Sequence, residues 1–276
     1  MANEERNPHN FFINHLNISP RAEPQYLHPK IFTRLHIFCI FHTMTREELR
    51  THSYKYLTYN TPLSAEHAAQ LVSRISLPPN ARILDLGCGW AELLLQFLEA
   101  NLTATATGID NDNALIDRAI TNANERGLHE RVRCIAQDAA GTTGEYEFVI
   151  CIGATHIWPN RLQALKFLHD LISPSGMLLF GDGFWAEEPS ATLKEDFGDL
   201  LTLSDLHDDM RTSGFEILSS DVATLDEWDE FESAWRSGLK RSANPEAQAF
   251  ATERKKEYEE GYREVLGFAY IVARKR

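Results

Sequence analysis

The sequence predicts an α/β domain built on a doubly wound, mostly parallel sheet. Apolar runs of strand length alternate with helical patterns from 82 to 222, a glycine turn follows the first run, and acidic residues stand where runs end. Strands that alternate with helices need right-handed crossovers, which cover both faces of a parallel sheet. Ligands of such sheets bind outside the carboxyl ends of the strands.

The elements follow in a regular order along the chain. Caps at Thr45 and Ser64 predict two helices before the core, and Pro78 and Pro79 end the second. Strands are predicted over 82–86, 105–110, 132–137, 146–152, 176–182, 215–222 and 267–273. Core helices are predicted over 90–100, 113–126, 160–173 and 204–213.

We predict four parts in the chain. Residues 1–44 form a poorly defined N-terminal extension, 45–79 a helical cap, 80–225 with 265–276 the core, and 226–264 a helical insertion. The prolines of the extension break any long element. The extension either lies upstream of the true domain or covers the active site, and we favour the first alternative.

The insertion is predicted from its apolar spacing. Trp228, Phe231 and Trp235 recur at intervals of three and four, which places them on one stripe of an amphipathic helix. A helical pair inserted just before the last strand would lie over the mouth of the cleft. It would act there as a lid or as a homodimer contact, and the pattern leaves both open.

Composition excludes several classes of protein. The formal net charge is −13, and between Asp182 and Glu232 there are 16 acidic residues against two basic ones, a surface that would repel nucleic acid. The four cysteines lack the spacing of a zinc site or a disulfide framework, which favours a reducing compartment such as the cytoplasm. No apolar run reaches the length of a membrane span. We therefore expect neither a metal nor a membrane partner.

The stretch 81–100 carries the strongest signal for a binding site. An apolar run contains Asp85, Gly87 and Gly89 then form a turn, and apolar residues recur at helical spacing beyond it. Such a turn lets a ligand approach the backbone, because no Cβ intrudes and the N–H groups of the helix start are free. A second acid, Asp110, ends the next run, where a carboxylate can accept both hydroxyls of a ribose.

These residues resemble a known family. Segment 85–91, DLGCGWA, resembles the acid-x-Gly-x-Gly-x-Gly signature of class I S-adenosylmethionine-dependent methyltransferases, with Ala91 in place of the third glycine. Segment 108–110, GID, resembles their ribose-binding acid. The resemblance implies a seven-stranded, Rossmann-like methyltransferase fold with an antiparallel last strand, and S-adenosylmethionine as cofactor.

The resemblance also implies which residues hold the cofactor. Asp85 suits the ammonium group of its methionine end, and Asp138 stands where family members hold the adenine amino group with an acid or amide. The full set of cofactor-binding residues that we predict is Asp85, Gly87, Cys88, Gly89, Asp110, Asn111, Asp138, Ala139, Ile152 and Gly153.

His156 is the predicted catalytic residue, because it follows the fourth strand where the methyl donor should point. An imidazole of near-neutral pKa can take a proton from a hydroxyl or ammonium group, although the residue could instead orient its loop. We predict substrate contacts for Tyr59, Trp158, Asp182 and Trp185. Tyr59 lies in a tyrosine-rich segment that resembles one folding over the cofactor, although its tyrosines could instead pack on the first helix. Trp158, Phe184 and Trp185 could form one aromatic wall or simply pack in the core.

The predicted function is methyl transfer from S-adenosylmethionine to an oxygen or nitrogen of a small molecule. Placing nucleophile, methyl carbon and sulfur in line while excluding water would supply much of the catalysis. A second hypothesis is a cofactor-binding or regulatory protein without chemistry. A third, a nicotinamide-dependent oxidoreductase, is disfavoured because Glu92 stands where the dinucleotide fingerprint requires glycine or alanine.

Overall fold

The computed structural model describes residues 45–198 and 200–276, so the predictions for residues 1–44 lie outside the described part. The strands are β1 Arg82–Leu86, β2 Thr105–Asp110, β3 Val132–Ala136, β4 Tyr146–Ile152, β5 Ile172–Trp185, β6 Phe215–Val222 and β7 Leu266–Lys275. The α-helices are α1 Arg46–Tyr54, α2 Ala65–Arg74, α3 Glu92–Ala100, α4 Asn113–Glu125, α5 Arg161–Leu171, α6 Ala191–Phe197, α7 Leu203–Thr212, α8 Leu225–Lys240 and α9 Pro245–Glu257.

All seven strands join one sheet in the order β3-β2-β1-β4-β5-β7-β6. The pairs from β3 to β5 are parallel, whereas β7 runs antiparallel to both β5 and β6. Successive residues of a strand face opposite sides of the sheet. Ile83 accordingly packs into the hydrophobic core on one face, and Leu84 packs into the core on the other. The predicted doubly wound, mostly parallel sheet with an antiparallel last strand is therefore confirmed.

Some boundaries differ from the prediction for local reasons. Helix α3 begins at Glu92 rather than 90, because Ala91 adopts a left-handed backbone with φ 60° that completes the glycine turn. Helix α5 ends at Leu171, two residues earlier than predicted, because the residue before Pro174 avoids helical backbone. Strand β5 is longer than predicted at both ends, since Ile172 pairs with Tyr146 of β4 and Trp185 pairs with Leu266 of β7. Helix α6 was not predicted.

The helical cap and the insertion pack against each other. Gly238 of α8 lies so close to α1 that an added Cβ would overlap the His52 carbonyl oxygen. At the start of α8, the Glu227 carboxylate accepts the Ser64 N–H at 2.9 Å and lies 3.0 Å from Nδ1 of His67. The insertion is thus tied to both helices that precede the core.

A fully buried carboxylate joins the helices of the insertion to one another. Glu232 accepts hydrogen bonds from Arg236 at 3.2 Å, from Arg254 at 2.7 and 3.0 Å, and from the Tyr262 hydroxyl at 2.7 Å. A buried charge is tolerated only when it is paired and hydrogen-bonded in this way. The network therefore links α8, α9 and the π-helix Tyr258–Tyr262 as one unit. In the described ranges, no helix combines the length and apolar character that a bilayer crossing requires.

Gly238→Ala is expected to destabilise the protein by more than about 2 kcal/mol, because the new methyl group must push α1 away from α8. Urea denaturation measures this loss. Ser233→Ala, at an exposed position of the same helix, is the matched control and should change the free energy of unfolding by less than about 0.5 kcal/mol. Equal stability of the two variants would contradict the close contact between the helices.

Candidate functional site

A cleft of about 160 Å³ opens at the carboxyl ends of the parallel strands. Its walls are the glycine turn after β1, the residues after β2, β3 and β4, and the segment 54–63 of the cap. The predicted site residues among its lining are Tyr59, Asp85, Gly87, Cys88, Gly89, Asp110, Asn111, Asp138, Ala139, Ile152, Gly153 and His156. Residues from four strand ends and the cap therefore meet at one place.

The glycine turn holds its shape through the neighbouring strand. The N–H groups of Gly87 and Cys88 both donate to the Ile109 carbonyl, at 2.8 and 3.0 Å. Gly87 has φ 75°, and a Cβ there would overlap the side chain of Ala154. Gly89 has φ 53°, and no atom lies within 4 Å of where its Cβ would stand. At position 87 the turn needs glycine both for its left-handed backbone and for its close packing on Ala154. At position 89 the backbone is also left-handed, and open space lies beside it.

Asp110 presents a partly satisfied carboxylate to the cleft. Its Oδ2 accepts the Gly89 N–H and its Oδ1 accepts the Asp112 N–H, each at 2.9 Å. Burial raises its pKa, and these backbone hydrogen bonds oppose that rise. Each carboxylate oxygen can accept a further hydrogen bond, so the group can take two hydroxyls of one ligand.

Asp85 is a buried carboxylate without a hydrogen-bond donor in the described part of the chain. Its side chain lies in the cleft wall with the residue 6% exposed, and no hydrogen bond reaches the carboxylate from the described part of the chain. Burial, and secondarily the nearby charge of Asp110, raises its pKa to about 8. A cationic group in the cleft would stabilise the ionised form of Asp85, so this position suits an ammonium ligand.

His156 lies on a short 3-10 turn, Thr155–Ile157, that follows β4. Burial lowers its pKa to about 4, although a backbone hydrogen bond with Gly153 opposes the change. The imidazole is therefore neutral at physiological pH and less basic than the sequence-based hypothesis supposed. A neutral imidazole at the cleft can still accept a hydrogen bond from a hydroxyl group.

Asp138 follows β3 and caps the 3-10 turn Ala139–Gly141. One of its carboxylate oxygens, Oδ1, accepts the Ala140 N–H at 2.9 Å. The side chain is exposed, so the other oxygen can accept a hydrogen bond from a ligand. The adjacent residue Ala139 is buried in the floor of the cleft.

The cap closes one side of the cleft and is fastened to the core. The Trp90 indole N–H donates to the Thr58 carbonyl at 2.7 Å, and Arg118 donates to the carbonyls of Tyr54 and Leu57 at 3.0 and 2.9 Å. The guanidinium of Arg118 also stacks on the Trp90 ring, 4.0 Å from its centroid. Tyrosine-rich segment 54–59 is thereby held against the glycine turn.

Several cleft residues were not found by sequence reasoning. Among them are Arg50, Tyr54, Asn60, Thr61, Leu63 and Phe268. The density of tyrosines indicated the segment around Tyr54, and the other positions gave no comparable signal. Phe268 reaches the cleft only because β7 inserts between β5 and β6, so its sequence neighbours are uninformative.

Three residues predicted to contact substrate do not line this cleft in the described part of the chain. Trp158 packs on Phe167 with ring centroids 5.1 Å apart, and Trp185 packs on Phe197 at 6.0 Å. The two tryptophans belong to core clusters on opposite faces of the sheet, so they do not form one aromatic wall. Asp182 is also buried, on β5. Their assignment to the substrate stays a prediction.

Within residues 45–198 and 200–276, no group of three or more His, Cys, Asp or Glu side chains has the arrangement of a metal site. The described cysteines Cys88, Cys134 and Cys151 are free thiols. Burial is the largest cause of the raised pKa of each thiol.

The sequence of this chain is similar to those of several known proteins. A family described as a methyltransferase domain matches residues 83–176. The uncharacterized protein YjhP of Escherichia coli strain K12 is 30% identical over 214 residues, which cover 74% of this chain and 83% of that protein. The ubiquinone biosynthesis O-methyltransferase of Xanthomonas campestris strain B100 is 31% identical over 122 residues, 42% of this chain. The chain spans about half the length of that relative, 50%.

Solved structures show the same fold. An S-adenosylmethionine-dependent methyltransferase from Geobacter sulfurreducens, crystallised with S-adenosyl-L-homocysteine, aligns with a TM-score of 0.77 and 26% identity over 83% of this chain and 98% of its own. A second S-adenosylmethionine-dependent methyltransferase, from Thiobacillus denitrificans, was also crystallised with S-adenosyl-L-homocysteine. It aligns with a TM-score of 0.75 and 26% identity over 82% of this chain and 97% of its own.

Asp85→Asn is expected to stabilise the unliganded protein at alkaline pH. The pKa of this carboxyl is about 8 in the fold against an ordinary value of 3.8, so the folded protein holds an extra proton between these values. Wild-type stability therefore falls as the pH rises through this window, whereas asparagine does not titrate. The free energy of unfolding of the variant should exceed that of the wild type by roughly 2 to 5 kcal/mol at pH 9, and by little at pH 4.

Urea denaturation at both pH values measures this difference. Asp138→Asn, which replaces an exposed carboxylate of the same cleft, is the matched control and should change stability by less than about 0.5 kcal/mol at either pH. A gain in Asp85→Asn that is independent of pH would show that this carboxylate does not titrate as described.

Proposed function

Because the chain belongs to the class I S-adenosylmethionine-dependent methyltransferases, we propose that it transfers the methyl group of this cofactor to an oxygen or nitrogen atom of a small molecule. The observation that carries the proposal is the meeting of three carboxylates, Asp85, Asp110 and Asp138, at the ends of β1, β2 and β3 around one cleft. S-adenosylmethionine presents an ammonium group, a ribose diol and an adenine amino group, which are three donors for these three acceptors.

The described residues fit this cofactor. Asp85 is a buried acceptor without a donor, as an ammonium site requires, and the open space at Gly89 admits a ligand against the backbone. Asp110 keeps acceptor capacity for the ribose hydroxyls, and Asp138 keeps an oxygen for the adenine amino group. Cys88, Asn111, Ala139, Ile152 and Gly153 complete the proposed cofactor-binding set by lining the same cleft.

The cofactor supplies a methyl group already activated on a positively charged sulfur, so the protein must mainly position the acceptor and exclude water. We propose that His156 accepts a hydrogen bond from the acceptor hydroxyl or amine and takes its proton as the new bond forms. Its lowered pKa makes it a weak base, which suits orientation of the nucleophile more than early proton removal. The cap segment with Tyr54 and Tyr59 would exclude water on the other side.

A small-molecule acceptor is supported by the charge of the cleft. Its described lining contains Asp85, Asp110, Asp112 and Asp138, while Arg50 is already paired with Asp112 at 2.7 Å. This balance disfavours a nucleic-acid phosphate. The Xanthomonas relative is named as an O-methyltransferase, which supports oxygen as an acceptor atom. A cytoplasmic location and a homodimer remain part of the proposal.

Asp110→Ala is expected to weaken binding of S-adenosyl-L-homocysteine by more than about tenfold, because paired hydrogen bonds to a charged group contribute roughly 1.5 to 3 kcal/mol. Isothermal titration calorimetry measures the affinity. Asp117→Ala, on the exposed face of α4, is the control and should bind like the wild type. A loss below threefold in Asp110→Ala, or preferential binding of a nicotinamide dinucleotide, would contradict the assignment of this carboxylate to the ribose.

His156→Ala is expected to lower methyl transfer by about 10- to 100-fold while cofactor affinity changes less than threefold, since the residue faces the acceptor. Transfer of tritium from methyl-labelled S-adenosylmethionine to fractions of a small-molecule extract provides the measurement. His129→Ala, at an exposed position, is the control. Equal losses in transfer and affinity would reject the catalytic role, and cofactor binding without transfer to any fraction would favour the non-catalytic alternative.

A further inference from the structure

A buried charged group lies directly behind the turn that carries His156. Asp182, on β5, is 8% exposed and follows Gly181, which pairs with the last residue of β4, Ile152. Its Oδ1 accepts the Gly183 N–H at 2.9 Å, and its Oδ2 accepts the hydroxyl of Thr155 at 3.1 Å. The carboxylate is therefore hydrogen-bonded to the residue immediately before His156.

Basic and acidic side chains extend this cluster away from the cleft. Arg161, the first residue of α5 and 5% exposed, places one guanidinium nitrogen 3.7 Å from Asp182 Oδ2. Its Nε lies 3.4 Å from Oδ2 of Asp209 on α7. The guanidinium of Arg161 therefore lies between two carboxylates, and its positive charge favours an ionised Asp182 that accepts the Thr155 hydroxyl, although its Nε and Nη1 make no hydrogen bond within the described residues.

The turn at 155–157 is held between two fixed surfaces. On the side of the glycine turn, the Ala154 side chain lies so close to Gly87 that a Cβ at Gly87 would overlap it. On the far side, the Gly153 N–H donates to the Gly181 carbonyl at 2.8 Å, and the Thr155 hydroxyl bonds the next residue of the same strand. Of these two bonds to β5, only the bond between Thr155 and Asp182 is made by side chains, so it is the one that a substitution can remove.

We propose that Asp182 is a positioning residue, which through the Thr155 hydroxyl fixes the 155–157 turn and so holds the His156 imidazole in the wall of the cleft. This role differs from the substrate contact that the sequence suggested, because the carboxylate accepts a hydrogen bond from the turn and does not line the cleft in the described part of the chain. The consequence for catalysis rests on the proposed function, whereas the position of His156 does not. Loss of the hydroxyl would leave a buried carboxylate short of a donor and release the turn toward solvent.

Thr155→Val tests the proposal, because it keeps the shape of the side chain and removes the donor. In the wild type, burial holds the pKa of His156 near 4, so its NMR signals should not titrate between pH 5.5 and 8. In Thr155→Val the turn should open, and the signals should titrate in this range as the pKa moves toward its ordinary 6.5. His156→Ala identifies the signals by their absence.

Affinity for S-adenosyl-L-homocysteine, measured by calorimetry, separates positioning from general damage. It should stay within threefold of wild type in Thr155→Val, while Thr155→Ser should restore the wild-type histidine titration. Thr121→Val, which removes an exposed hydroxyl bonded to the Asp117 carbonyl, is the matched control and should leave the titration of His156 unchanged. Asp182→Ala serves as a second variant: it removes the oxygen that accepts the Thr155 hydroxyl and should release the turn as Thr155→Val does.

The proposal is overturned if His156 stays untitrated in both Thr155→Val and Asp182→Ala, or if the loss of cofactor affinity exceeds threefold in both. These readouts need no methyl acceptor. If His156→Ala retained full methyl transfer while Thr155→Val still shifted the titration of His156, the catalytic role would fail and the positioning role of Asp182 would stand.

Discussion

Two carboxylates, Asp85 and Asp110, lie at the ends of adjacent strands where little water reaches them. Burial disfavours the charge of each group, and the charge of Asp110 further raises the pKa of Asp85. The free protein therefore retains an electrostatic cost that an ammonium ligand would relieve. Ligand binding and stability are coupled at this site, as they are wherever a folded protein keeps an unsatisfied charge.

The remaining walls of the cleft depend on long-range packing. The cap segment 54–63 lines the cleft, yet it is held by Arg118 of α4 and Tyr270 of β7, and the insertion holds the next residue, Ser64, through Glu227. The buried carboxylate of Glu232 joins the helices of the insertion by hydrogen bonds. In the described chain the insertion thus supports the cap.

The His156 turn illustrates how burial changes chemistry. A histidine after a strand end is a common acid or base when solvated, because its ordinary pKa is near neutrality. Here the Ala154–Gly87 contact and the Asp182–Thr155 bond hold the turn against the core, and the pKa of His156 falls to about 4. The burial that keeps this imidazole in the wall of the cleft also weakens it as a base.

The sequence by itself determined the parallel strands, the glycine turn and the positions of Asp85, Asp110 and Asp138 at strand ends, because periodicity, backbone conformation and position at a strand end are local properties. The antiparallel last strand was expected only from the family resemblance. Tertiary structure alone decided the contact between cap and insertion, the separation of Trp158 from Trp185 on opposite faces, and the inward orientation of the Asp182 cluster. These features join residues far apart in the chain, and the free energy of a buried charge depends on neighbours that no local pattern specifies.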